Sequence, residues 1–159
     1  IDYQSYVNGK NEIPLKDFRG RDNRPSQAIG YGKALMVFHL VKNLVGESAF
    51  FDSLKVFLDE KRFQRATWQG LQSAFEKNSK RELGWFFQQW VNEKGLADFD
   101  LGEIKVRPRD GRFEVQFDVQ QKGKAFRLDL PISFYSNGGR IKHLISVEKE
   151  KSKVRKGKS

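Results

Sequence analysis

Residues 82–119 read ELGWFFQQWVNEKGLADFDLGEIKVRPRDGRFEVQFDV, and two different periods meet inside them. Leu83, Phe86, Phe87, Trp90 and Val91 fall at i, i+3, i+4, i+7 and i+8, which is one apolar face of a helix. Beyond Gly95, Phe113, Val115, Phe117 and Val119 alternate with Arg112, Glu114, Gln116 and Asp118, which is the period of a strand buried on one side. A single switch from one period to the other predicts an α+β chain. A helical bundle of four main helices is expected over residues 1–98, followed by a small antiparallel β-sheet, a partial β-sandwich, over residues 99–148.

Upstream of the switch the punctuation is clear. Ile1, Tyr3, Tyr6 and Val7 suit the last turns of a helix that Asn8-Gly9 stops. Residues 8–25 hold Gly, Asn, Asp, Arg, Pro14 and Pro25, which is loop chemistry, and a loop of that length is often functional. Ser26 after Pro25 is the expected N-cap of a helix running to Leu44, with Gly46 as its stop. Ala34, Leu35, Met36, Val37, Phe38, Leu40 and Val41 leave that helix almost no polar face, so it is expected to be central and buried. A second helix starts near Glu47. A third is capped by Thr67, and Ser79-x-x-Glu82 reads as the capping box of the fourth.

Downstream, Ile104 and Val106 suggest a short strand. Phe126, Leu128, Leu130, Ile132 and Phe134 alternate, and Ile141, Ile145 and Val147 hint at a fourth strand, with Leu144 out of phase. Asp110-Gly111, Lys122-Gly123 and Asn137-Gly138-Gly139 are the expected hairpin turns. Pro131 marks an edge strand or a bulge.

Charge is uneven. Residues 1–101 carry 15 Lys and Arg against 13 Asp and Glu, whereas residues 102–159 carry 15 against 7. Residues 149–159 hold six bases and one acid and are expected to be a disordered basic tail, or a strand with Val154 on one face. Without interleaved aromatics, that tail does not favour nucleic acid as a partner. No Cys is present, which excludes disulfides and thiolate chemistry. No apolar run is long enough to span a bilayer, so a soluble protein with no membrane segment is expected, of the bacterial cytoplasm or periplasm. A start at Ile1 rather than Met suits an excised segment.

The order of features resembles the M1 zinc aminopeptidases, the gluzincins. Tyr31-Gly32-Lys33 opens the central helix, Trp85-Phe86-Phe87-Gln88-Gln89-Trp90 closes the helical block, and Gly95-Leu96 leads into the strands. The likeness covers residues 26–100 well and the strands loosely. It implies a piece of the later catalytic domain together with the start of the following β-sandwich. The family's metal motif, His-Glu-x-x-His, does not occur here. The resemblance therefore implies no cofactor in this chain and zinc in a parent protein. Its partners would be the upstream part of the same polypeptide and a peptide substrate.

Through the family's Tyr-x-Lys-Gly pattern, Tyr31 is the implied catalytic residue, an oxyanion donor, and Ala34 stands where the family has Gly. Read from its own chemistry, Tyr31 is an amphipathic aromatic at a helix start. Lys33 is expected to pair with a carboxylate or to reach the helix edge. His39 and His143 have Asn43 and Val147 at i+4, so neither has ligand spacing, and His39 is expected in or near the core. Asp59-Glu60, Asp98 and Asp100 read as surface or turn carboxylates. The rival reading is a non-catalytic peptidase-like scaffold that serves as an interaction module.

Overall fold

The computed structural model describes residues 3–109, 112–136 and 139–157. The chain divides into two compact units, residues 1–95 and 96–159.

The first unit is helical. It comprises α1 Tyr3–Tyr6, α2 Arg24–Gln27, α3 Ala34–Val45, α4 Glu47–Glu60, α5 Trp68–Ser79 and α6 Gly84–Phe87. A π-helical segment, Ala28–Lys33, joins α2 to α3, and a second, Gln88–Asn92, continues α6. A 3₁₀ turn spans Leu15–Asp17 within the long loop. The four main helices are thus α2–α3 with its π segment, α4, α5, and α6 with its π segment.

The helix starts follow side-chain chemistry. Thr67 caps α5 as expected, its hydroxyl accepting the Gly70 N–H at 3.1 Å. The first main helix begins earlier than expected. Asn23, not Ser26, is its cap, and the Asn23 Oδ1 accepts the Ser26 N–H at 2.9 Å. Pro25 then lies inside the first turn, where its missing N–H costs nothing. The capping box also fails. The Ser79 hydroxyl bonds back to the Phe75 carbonyl at 2.7 Å, so it still belongs to α5. Glu76 reaches across instead and accepts the Leu83 N–H at 2.8 Å, capping α6 from the preceding helix.

The core of this unit is aromatic. Phe50 stacks on Phe75 with centroids 5.6 Å apart, and Phe38 meets Phe50 edge-on at 6.4 Å. Phe75, Phe86, Phe87, Trp90 and Val91 are buried. The central helix is not buried all round. Val37 and Val41 are covered, but Leu35 is 71% and Met36 49% exposed, so only one face of α3 meets the unit's core. Between α4 and α5, Phe63 adopts a left-handed φ of 60° with its ring in solvent.

Among the described residues the second unit holds six strands: β1 Phe99–Leu101, β2 Lys105–Arg109, β3 Arg112–Gln121, β4 Leu128–Ser136, β5 Gly139–Val147 and β6 Lys151–Gly157. All pairings are antiparallel. β3 is the hub, taking β1 and β2 along one edge and β6 along the other. β4 and β5 form a separate two-stranded sheet, so Pro131 lies on an edge strand as its missing donor requires. The inward residues Phe117, Val119, Ile145, Val147 and Val154 form one core. Neither sheet closes, which is the partial, open β architecture expected.

The basic stretch is a strand and not a solvated tail. Phe117 pairs with Val154 and Asp118 with Lys153 in the β3–β6 register. Val154 is buried, while Lys151 and Lys153 stay exposed. The lysines occupy the outward positions of the pleat, so their charge costs no burial. Gly123 and Gly139 take positive φ (67° and 110°), as turn glycines do. The expected turn residues Asp110-Gly111 and Asn137-Gly138, and Ile1 of the first segment, lie outside the described residues, as do Lys158 and Ser159.

Candidate functional site

Three irregular backbone segments converge in the helical unit. The 3₁₀ turn Leu15–Asp17 packs against both π segments. Leu15 is buried there at 2% exposure, which anchors the turn. The Arg19 guanidinium latches the turn by donating from Nη1 to the Lys16 carbonyl at 2.9 Å and the Phe18 carbonyl at 3.2 Å. π-helical turns are rare and concentrate at functional positions. Here glycines on both sides, Gly30 and Gly32, lower the cost of the extra residue in the turn.

Tyr31 stands within the first π segment. Its side chain is 51% exposed, so the phenol borders solvent and is not sealed in hydrocarbon. Its inner edge meets Phe18, with ring centroids 6.0 Å apart and planes at 71°. Phe18 in turn lies over Gly30. A Cβ on Gly30 would overlap three Phe18 ring carbons, the farthest only 2.5 Å away.

Lys33 lies inside the unit and does not reach the helix edge. It is buried at 1% exposure, and its Nζ donates to the Glu93 carbonyl at 3.0 Å. Glu93 follows the second π segment, so a cation meets the carbonyl-rich end of that helix. The ammonium thereby ties the Tyr31 segment to the end of the helical block.

The other candidates scatter. His39 is exposed rather than near the core, with Nε2 3.3 Å from Asn43 Nδ2. His143 lies edge-on to Phe134 at 5.7 Å in the second unit. Asp59 pairs with Arg62 at 3.7 Å, and Glu60 with Lys77 at 3.7 Å. Asp100 holds Lys122 at 2.7 Å. That hydrogen bond, then the charges of Asp100 and Asp98, raise the Lys122 ammonium above the ordinary lysine value. Among the described residues no group of three or more His, Cys, Asp or Glu could hold a metal ion. The described residues therefore assemble no zinc centre. Among the described residues, no helix is long and apolar enough to cross a membrane.

Sequence reasoning missed Phe18 and the buried state of Lys33. The signal for Phe18 was the Gly30 opposite it. A contact between a loop residue and a glycine twelve positions on leaves no periodic trace.

No protein-family model matches the chain. It is 22% identical over 124 residues to probable aminopeptidase 2 of Sulfurisphaera tokodaii, covering 77% of this chain and 15% of that protein. It shares the fold of part of Legionella pneumophila aminopeptidase A, solved in complex with aspartic acid. That match has a TM-score of 0.61 and 17% identity, and covers 80% of this chain and 15% of the other. The chain is thus weakly homologous to an aminopeptidase and spans about 15% of the length of these relatives.

Proposed function

We propose that this chain is the tyrosine-bearing later part of an M1-type, zinc-dependent aminopeptidase, together with the first strands of the domain that follows. In this reading Tyr31 donates its phenolic proton in a hydrogen bond to the oxyanion that forms when the carbonyl of an N-terminal peptide bond is attacked. The observation that carries the reading is the half-exposed phenol on a rare π turn. Weak homology to an aminopeptidase supports it.

Such a donor acts on charge that develops only in the transition state. Its loss therefore lowers kcat and leaves KM nearly unchanged. The residues that would hold zinc belong to other parts of the parent polypeptide, so this chain alone cleaves nothing.

The test is Tyr31→Phe in the longer polypeptide. The expected outcome is a fall in kcat of about 100- to 1000-fold, or roughly 3–4 kcal/mol of transition-state stabilisation. An unchanged kcat removes the oxyanion role. A robust, chelator-sensitive aminopeptidase rate from the 159-residue chain would overturn the incomplete-module reading.

A further inference from the structure

We infer that Phe18 is a positioning residue for Tyr31, and that Gly30 is glycine so that the Phe18 ring can occupy that place. The inference rests on the oxyanion-donor reading above for its catalytic consequence, but its geometry stands apart from it.

A phenol that is half in solvent has few neighbours to fix its rotamer. An oxyanion donor must nonetheless lie within hydrogen-bond reach of one point in space. Phe18 supplies the wall. Its ring meets Tyr31 at 71°, in the edge-to-face range that aromatic quadrupoles favour. The ring is held from behind by its own backbone. Its N–H donates to the Leu15 carbonyl at 3.2 Å, Leu15 is buried, and Arg19 braces the Phe18 carbonyl. Only a residue without Cβ leaves the space the ring fills, because any Cβ at position 30 would collide with it. The long loop thus has a purpose: it carries one aromatic ring to the side of one phenol.

Two variants disturb the ring by different routes. Phe18→Leu keeps the bulk but removes the aromatic edge, and Gly30→Ala displaces the ring and leaves Phe18 in place. Phe18→Tyr keeps the ring and serves as the conservative rescue. With 3-fluorotyrosine replacing Tyr31 in the 159-residue chain, ¹⁹F NMR reports the ring environment directly. The first two variants should move the signal toward that of free fluorotyrosine, and Phe18→Tyr should hold it. In the longer polypeptide, the first two should lower kcat by about 10- to 100-fold at nearly constant KM, the effect of misplacing a catalytic group. Phe18→Tyr should restore most of the rate.

A ¹⁹F signal unchanged in both Phe18→Leu and Gly30→Ala overturns the positioning role, whatever the kinetics. If the signal moves with Phe18 while Tyr31→Phe leaves kcat intact, the positioning stands and the oxyanion reading falls. Phe18→Leu guards against a folding artefact in Gly30→Ala, since it forces no Cβ into the space the ring fills, and the two variants must agree.

Discussion

Each unit buries a long polar side chain that ties separate backbone segments together, and the two anchors, Lys33 and Gln121, differ in kind. In the helical unit it is Lys33, a full charge on a carbonyl 60 residues away. In the sheet unit it is Gln121, a neutral amide. Its Nε2 donates to the Phe126 carbonyl at 2.8 Å and the Lys149 carbonyl at 3.3 Å, and its Oε1 accepts the Phe126 N–H at 2.9 Å. Gln121 closes an ordinary connection between strands. Lys33 holds together two π turns. A buried ammonium is costly to desolvate, and a neutral amide far less so. The costlier device is spent where the helix departs from regularity, beside Tyr31, and the cheaper one where a chain merely turns.

The largest effect should come from the core of the helical unit. Phe75→Ala empties the centre of the aromatic stack and should cost about 3–5 kcal/mol, read from the urea midpoint and from lost amide protection in α4 and α5. Gln121→Met keeps the volume but strips the Phe126 N–H of its acceptor. It should cost about 1–3 kcal/mol and expose the Phe126 amide to exchange. A negligible effect would erase the parallel between the two anchors.

Thr67→Ala should cost about 1 kcal/mol, the usual value of a lost N-cap. The equivalent loss for α6 comes from Glu76→Ala, since its cap is borrowed from a neighbour. If Ser79→Ala frays α6 more than Glu76→Ala does, the borrowed cap is wrong.

The smallest effect concerns alkaline pH. Burial first, then the 2.6 Å hydrogen bond to Glu12 and the charge of that carboxylate, push the Tyr3 phenol well above the usual tyrosine value of about 10. A group raised on folding stabilises fully below its unfolded value and loses that contribution as pH rises through the folded one. The wild type should therefore lose stability relative to Tyr3→Phe once the pH exceeds about 10, measured as urea midpoints across that range. Parallel curves would remove Tyr3 from the alkaline transition.

Much of the fold was legible because periodicity reports burial. The helix face at Leu83–Val91 and the alternation at Phe113–Val119 came straight from spacing. What escaped was set by tertiary contact. Ser79 and Glu82 have the right letters for a capping box, yet Glu76 had the better reach to Leu83. Lys151 and Lys153 looked like a solvated run, because one buried Val154 is too little apolar signal to mark a strand. Leu35 and Met36 suggested a helix covered on all sides, but composition says nothing about which faces receive neighbours. The candidate site was half legible. Tyr31 was singled out by resemblance, whereas the π turn, the Phe18 ring and the burial of Lys33 have no local signature.

The Lys33 ammonium and the Glu93 carbonyl are separated by 60 residues of the helical unit. Closing so long a loop before the elements within it have formed carries an entropic cost, so the expected order is that the bond forms after α4 and α5 have docked. On that expectation, Lys33→Met should speed unfolding in a stopped-flow chevron while leaving the refolding limb where it was. The clasp between the two π turns would then act as a latch on the exit from the native state, with no part in the approach to it.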